Sequence, residues 1–338
     1  MNAKTTVSMV YNIKRLFYAL FLIILNNSFI NIFGSEIPQK VLICGVAKNV
    51  AKDFYRNQKE IKNIASLFQD YRVIVYENNS TDDTKKLFSD WSEQDEKVIF
   101  LSEDLTDDFI RNYTPLQGNC RTQFIARARN IVLKKAFYKE FSAFDYLIML
   151  DLDDFYELNL KELKKVILKP EKNWDAVFAN GSYDLYALKS PEFPHGPELL
   201  SWRFYGENLK TIGENLAASL KKNKWLKVDS AFGGFAIYKK NAIKNCLYDG
   251  RVTLELLCLL MNYQNKKDPL YDLYKSTISY NLMTLFSILK NKYSSIPQDF
   301  DFYTCEHINF HLNMKKNGFN NLYINADLKR PSKSHTNY

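Results

Sequence analysis

Glycine and cysteine are scarce in this chain of 338 residues. Its 11 glycines give no reason to assume a glycine-rich phosphate loop. Its 5 cysteines are widely spaced, and none forms a C-x-x-C pair. They are Cys44, Cys120, Cys246, Cys258 and Cys305. The spacing therefore supports neither a zinc ribbon nor a dense disulfide framework.

A strong excess of one charge is also missing. The formal net charge is +8, with 25% charged and 46% hydrophobic residues. This is ordinary globular composition, which excludes a collagen, a coiled-coil rod and wholesale disorder. A charge of +8 suits a partner that carries phosphate, but it is too dilute to indicate nucleic acid, so we expect no nucleic-acid partner.

The first 35 residues differ from the rest of the chain. Lys14 and Arg15 precede the apolar run 16–25, and apolar residues partly resume at 29–33. Basic residues followed by about ten apolar ones are typical of a signal peptide or signal anchor. A buried first helix is the alternative. We expect residues 1–35 to be a signal anchor or a cleaved signal, outside the folded domain.

Apolar runs and helical periodicity alternate along the rest of the chain. Strands are predicted at 41–46, 71–76, 98–101, 146–150, 177–179, 232–238 and 322–324. Helices are predicted at 51–68, 82–91, 121–141 and 305–316. Continuous apolar strands that alternate with helices predict an α/β fold, with a mostly parallel central sheet and helices on both faces.

Three carboxylates follow the predicted strand at 146–150. They are Asp151, Asp153 and Asp154, with no cation beside them in the sequence. Clustered carboxylates repel each other, and a divalent cation relieves that repulsion. Asp151 and Asp153 point the same way in extended chain, so they can share a metal ion. The alternative is a helix N-terminus, where acidic residues are favoured.

Three arginines lie on the helix predicted before this strand. They are Arg121, Arg127 and Arg129. Arginine suits diphosphate oxygens because its guanidinium donates two parallel hydrogen bonds. Arg127 and Arg129 do not fully share one helical face, so we expect one to reach a phosphate and the other to pair with an acid. Solvated surface charges are the alternative.

These motifs resemble a known family. ENNSTDDT (77–84), IARARN (125–130) and LDLDD (150–154) are similar to nucleotide-sugar glycosyltransferases of the GT-A fold. The spacing is most similar to fungal mannosyltransferases of the capsule-associated and mannan-polymerase types. The similarity continues thinly to about residue 320. The resemblance implies one GT-A-like catalytic domain at 36–330, with a nucleotide-sugar-binding half at 36–155 and an acceptor half at 156–330.

The resemblance also implies a donor site. Asp151 and Asp153 would hold Mn²⁺ or Mg²⁺ on the diphosphate of a nucleoside-diphosphate sugar. Base and ribose would lie against the segments 47–49 and 77–79, and Arg127 or Arg129 would contact the phosphates. The residues implied for the base and ribose are Ala47, Asn49, Glu77, Asn78 and Asn79. The reaction implied is transfer of a hexose, mannose-like, to a glycan or glycoconjugate hydroxyl.

A late acid or histidine completes such sites in the family. Glu306 is the implied base if the reaction inverts configuration, and with Asp153 it forms the predicted catalytic pair. His307 and His311 are the further candidate metal ligands, since residues i and i+4 share one face of a helix. For either histidine the alternative is an ordinary core or surface position.

The N-terminal segment sets the expected location. A transferase of this kind with a signal anchor would be a single-pass membrane protein, facing the Golgi or endoplasmic reticulum lumen if the source is eukaryotic. Secretion after cleavage is the alternative.

Two other functions compete. Haloacid-dehalogenase-like phosphatases also carry D-x-D after an apolar strand, but on the first strand and with Thr or Val where this chain has Phe155. An inactive sugar-binding accessory subunit is the second alternative.

Overall fold

Strands and helices alternate in the computed structural model as the apolar runs predict. It describes residues 37–113, 121–153, 157–181, 185–191, 202–253, 255–256, 259 and 303–330. The strands there are β1 (Ile37–Ala47), β2 (Phe68–Asn78), β3 (Val98–Glu103), β4 (Tyr146–Asp151), β5 (Ala176–Asn180), β6 (Trp225–Lys227), β7 (Phe235–Lys239) and β8 (Leu322–Lys329). The helices there are α1 (Phe54–Ala65), α2 (Thr84–Gln94), α3 (Asp107–Tyr113), α4 (Arg121–Ala136), α5 (Leu160–Leu168), α6 (Trp202–Lys222) and α7 (Glu306–Lys316).

These strands form one sheet in the order β3-β2-β1-β4-β7-β5-β8-β6. The first four are parallel neighbours, and β5 is parallel to β8. Strand β7 runs antiparallel between β4 and β5, and β6 runs antiparallel to β8. The expected α/β fold with a mostly parallel sheet is therefore confirmed.

Helices cover both faces of the sheet. Along β1, Val41 and Ile43 pack into one core, and Leu42 and Cys44 pack into the other. Helices α1, α2 and α5 line the first face, while α4, α6 and α7 line the second. A strand that is apolar on both faces lies in the middle of such a sheet. Each buried Val, Leu or Ile contributes about 1.5–3 kcal/mol of hydrophobic free energy.

Several element boundaries differ from the prediction, and two of these differences have local causes. The predicted strand at 232–238 begins only at Phe235, because Gly233 and Gly234 have φ angles of 62° and 77° and form a turn. The helix predicted at 121–141 ends at Ala136, and a separate 3-10 turn follows at Lys139–Phe141.

The helices of the structure contradict the predicted single-pass membrane localisation. Within the described ranges, none of the helices is both long and apolar enough to cross a bilayer. Residues 1–35, on which the prediction of an anchor or cleaved signal rested, lie outside the described residues.

Candidate active site

The ends of three parallel strands meet at one edge of the sheet. In the register, Ala47 at the end of β1 is aligned with Glu77 on β2, and Val46 is aligned with Asp151 on β4. The carboxyl edge of a parallel sheet is where α/β proteins bind ligands. The segments predicted to form the donor site are therefore neighbours at the expected edge.

The loops after β1 and β2 are tied to each other. The amide of Thr81 donates to Asn49 Oδ1 at 2.8 Å, and the amide of Asn49 donates to Ser80 Oγ at 3.1 Å. Asn49 has a φ of 54°, a left-handed conformation that asparagine tolerates better than most residues. Asn49 itself is exposed, whereas Ala47 is buried in the core.

The acidic and amide side chains at the end of β2 support this loop. Glu77 is fully buried and accepts from the Ser80 amide at 2.7 Å and from Ser102 Oγ at 2.8 Å. Asn79 donates to the Leu105 carbonyl at 2.9 Å, and its Oδ1 accepts from Asn78 Nδ2 at 3.0 Å. The hydrogen bonds of Glu77 and Asn79 thus hold the loop after β2 against the end of β3.

Arg127 binds a carboxylate of the protein. Its Nη1 donates to Glu103 Oε1 at 2.5 Å and to the Tyr76 hydroxyl at 2.9 Å. The hydrogen bond from Arg127 holds the pKa of Glu103 below its ordinary value. Burial, followed by the hydrogen bond to Glu103, raises the pKa of Tyr76. Arg127 thus joins α4 to the ends of β2 and β3.

Arg129 connects the carboxyl end of β4 to helix α7. Its Nη2 donates to Asp151 Oδ1 at 2.7 Å, and its Nη1 contacts both Glu306 Oε1 and His307 Nε2. The guanidinium also lies over the ring of Phe232, with its carbon 4.9 Å from the ring centroid. Both arginines predicted for the phosphates are therefore bonded to carboxylates of the chain.

Asp153 stands apart from these ion pairs. Within the described residues, no hydrogen bond or ion pair from another side chain reaches its carboxylate. Burial, together with the negative charge of Asp151, raises the pKa of Asp153 to about 6. The positive charges of Arg121 and Arg330 oppose this rise.

The two carboxylates fit a magnesium or manganese ion. Both supply hard oxygen ligands, and a cation between them would compensate the repulsion that raises the pKa of Asp153. The described part of the chain contains no group of three or more His, Cys, Asp or Glu side chains that could hold a metal ion by itself. Two carboxylates with the remaining ligands from substrate phosphates and water are the usual arrangement for Mg²⁺.

His311 lies in the core, with both ring nitrogens engaged. Nδ1 is 2.9 Å from Ser230 Oγ, and Nε2 is 3.0 Å from the Tyr238 hydroxyl. Burial, followed by the charge of Arg129, lowers the pKa of His311 to about 3. No lone pair of this ring is available to a metal ion, so we leave His311 out of the proposed metal site.

Glu306 and His307 begin helix α7 beside Arg129. The ring of His307 stacks on Phe232 with 3.8 Å between centroids, and its Nε2 accepts from Arg129, since arginine has only donors. That contact takes the lone pair a metal ion would need. Burial raises the pKa of Glu306, and the charge of Arg129 acts against it. Glu306 and His307 thus both lie in the cluster that Arg129 joins to Asp151.

Three buried residues behind the site carry no signal in the sequence. They are Asn57 and Glu60 on α1, and Arg330 directly after β8. Glu60 and Arg330 are 270 positions apart in the chain, so no local motif could pair them.

Comparison with solved structures gives matches of low identity to glycosyltransferases. One is the mannosyltransferase PcManGT from Pyrobaculum calidifontis in complex with GDP-Man and Mn²⁺, 13% identical with a TM-score of 0.36 over 63% of this chain and 48% of that chain. Another is glucosyl-3-phosphoglycerate synthase from Mycobacterium tuberculosis with Mn²⁺, UDP and phosphoglyceric acid, 12% identical with a TM-score of 0.36 over 71% of this chain and 68% of that one.

A third match is TarS 1-349 from S. aureus in complex with UDP-GlcNAc, 14% identical with a TM-score of 0.34 over 67% of this chain and 53% of that chain. The matched region spans about half the length of PcManGT and of TarS 1-349. No protein-family model matches the sequence, and a search of curated proteins finds no match. With TM-scores below 0.5, these likenesses assign no activity, and the fungal specificity stays a prediction.

Proposed function

We propose that the chain is a metal-dependent glycosyltransferase. It would move a hexose from a nucleoside-diphosphate sugar to a hydroxyl of a glycan or glycoconjugate, with a mannose-like sugar as the donor that the sequence resemblance favours. One observation carries the proposal: Asp153, a carboxylate that receives no hydrogen bond or ion pair from another side chain among the described residues, lies two positions after Asp151 at the carboxyl edge of a parallel sheet.

Asp151 and Asp153 are the proposed metal ligands. Arg129 bonds Oδ1 of Asp151, and Oδ2 is the oxygen that we propose binds the metal ion. A bound Mn²⁺ or Mg²⁺ would neutralise negative charge on the departing nucleoside diphosphate. Among the described residues, no cationic side chain bonds Asp153 directly, so we propose that Asp153 is the more important of the two for metal binding.

The tied loops after β1 and β2 are the proposed nucleotide platform. Asn49 is exposed there, and the bonds from Glu77 and Asn79 keep the loops in one conformation before any ligand arrives. A preformed surface loses less conformational entropy when it binds.

Glu306 is the proposed base for an inverting reaction. Its burial favours the protonated form, which helps the carboxylate to accept a proton from an acceptor hydroxyl. Arg129 holds Glu306 in the same cluster as Asp151. A retaining reaction requires no such base.

The test is a panel of nucleotide sugars, assayed for Mn²⁺-dependent release of nucleoside diphosphate. The wild-type chain should release nucleoside diphosphate from at least one nucleotide sugar of the panel. Asp153→Asn should reduce the rate of that release by at least about 100-fold. Asp104→Asn is the matched control, because Asp104 is an exposed aspartate paired with Lys85 at 2.7 Å. Equal turnover by wild type and Asp153→Asn would overturn the metal assignment.

A further inference from the structure

Arg330 is a buried arginine that contacts the main chain of the candidate site. Only 1% of its surface is exposed. Its Nη2 donates to the Asp151 carbonyl at 3.0 Å, and its Nη1 donates to the Gly234 carbonyl. The amide of Asp151 donates to that same Gly234 carbonyl at 3.1 Å. The peptide groups on both sides of Asp151 are therefore held.

Glu60 completes the arrangement from helix α1. It accepts from Arg330 with both oxygens, at 3.3 Å from Nε and 3.2 Å from Nη2. Its Oε1 also accepts from the Leu158 amide at 3.2 Å. One turn earlier, Asn57 Nδ2 donates to the Leu152 carbonyl at 2.5 Å. In the sequence, Asp153 thus lies between two residues whose main-chain groups bond α1: the Leu152 carbonyl and the Leu158 amide.

A buried ion pair of this kind is weak support for stability alone. The cost of removing both charges from water offsets most of their attraction, and apolar side chains of similar volume often do as well. The planar guanidinium does something that an apolar side chain or a lysine cannot: it bonds a carboxylate and two carbonyls in one fixed geometry.

We propose that Arg330 and Glu60 are a positioning pair that holds the end of β4 so that Asp151 and Asp153 face one ligand together. The inference rests on the proposed function, since the ligand is the divalent cation of that site. Two like charges side by side repel each other, and an unrestrained chain would let them separate. The buried contacts to the Asp151 carbonyl and the Leu158 amide prevent that separation.

Arg330→Lys tests the proposal, because it keeps the positive charge but removes the planar guanidinium, which donates to several acceptors at once. Mn²⁺ affinity is measured by electron paramagnetic resonance titration of free Mn²⁺, with no substrate present. We expect Arg330→Lys to weaken Mn²⁺ binding by about tenfold or more, as losing outer contacts does in other metal sites. Amide hydrogen exchange should become faster at Asp151 and Leu158.

Two further variants complete the design. Glu60→Gln is a milder change that keeps the shape of the side chain, and it should shift Mn²⁺ affinity in the same direction by a smaller factor. Arg72→Lys is the matched control, since Arg72 bonds Asp70 at 3.1 Å near the opposite end of β2. Its Mn²⁺ affinity should equal that of the wild type.

The outcomes separate this inference from the proposed function. If wild type binds Mn²⁺ and Arg330→Lys binds it within twofold, the positioning role is overturned and the proposed function stands. If Arg330→Lys lowers the melting temperature but leaves the Mn²⁺ affinity unchanged, the positioning role is also overturned, because Arg330 then contributes only to stability. If wild type binds Mn²⁺ neither alone nor with UDP or GDP present, the metal-dependent function falls, and this inference falls with it.

Discussion

At the scale of single residues, two neighbouring aspartates have opposite surroundings. Asp151 bonds Arg129 at 2.7 Å, whereas Asp153 is partly buried near the charge of Asp151 and has no comparable partner among the described residues. The same sequence motif therefore yields one compensated carboxylate and one that is costly to ionise. Such an imbalance is typical of binding and catalytic sites.

The cost of ionising Asp153 predicts a pH dependence of stability without metal. The pKa of Asp153 is raised from 3.8 to about 6, so the folded state holds the proton more tightly than the unfolded state. Its contribution to stability is fully present below pH 3.8 and is lost as the pH rises through about 6.

We therefore expect Asp153→Asn to raise the free energy of unfolding by up to about 3 kcal/mol at pH 7.5 in the presence of a chelator. At pH 3 the variant and the wild type should be equally stable, because Asp153 is then protonated in both the folded and the unfolded state. Urea unfolding at the two pH values measures this. An Asp153→Asn variant that is less stable than wild type at pH 7.5 would contradict the raised pKa of Asp153.

Residue types and spacing identified some of the site, and long-range contacts decided the rest. The strand before Asp151 and Asp153 is visible as an apolar run, so their position at a strand end was predictable. The partners of Arg129 were not, because Glu306 is 177 positions away. His311 shares a helical face with His307, yet Ser230 and Tyr238 make it a core residue, and helical spacing carries no information about either.

At the scale of elements, the turn before β7 depends on glycine. Gly233 has a φ of 62°, and a Cβ atom there would lie 2.6 Å from the Ala179 carbonyl oxygen. Gly181 is similarly close from the other side, since its Cβ would lie 2.9 Å from the Gly233 oxygen. The turn carries the Gly234 carbonyl that receives the Asp151 amide.

We expect Gly233→Ala to lower the free energy of unfolding by about 3 kcal/mol, because backbone strain and a clash with main chain add together. Gly318→Ala is the matched control: its φ is 91°, and a Cβ atom there meets nothing within 4 Å. That variant should lose only about 1 kcal/mol. Urea unfolding of both variants measures the difference, and equal losses would show that the close approach at Gly233 is not restrictive.

Element type was more predictable than element order. Apolar runs indicated the positions of β1 to β4, since buried parallel strands are apolar on both faces. The insertion of antiparallel β7 between β4 and β5 was not predictable, because strand order depends on pairings between distant segments. Among the described strands, the short strand β6 at Trp225–Lys227 pairs with β8 alone, and its sequence has no periodic signal.

At the scale of the whole molecule, both parts of the chain contribute to one sheet and one candidate site. Strands β1 to β4 supply the edge that carries Asn49, Asp151 and Asp153, while helix α7 adds Glu306 from the other end of the chain. Arg129 forms ion pairs with Asp151 on β4 and with Glu306 on α7. We therefore expect these two residues to keep their relative positions in the candidate site.

Calorimetric titration with UDP and GDP, with and without Mn²⁺, is the decisive experiment for a donor site that depends on a metal ion. We expect wild type to bind at least one of the two nucleotides, Mn²⁺ to strengthen this binding by at least about tenfold, and Asp153→Asn to abolish the Mn²⁺ effect. Nucleotide binding that is the same with Mn²⁺, without Mn²⁺ and in Asp153→Asn would contradict the proposed site, as would no binding of either nucleotide.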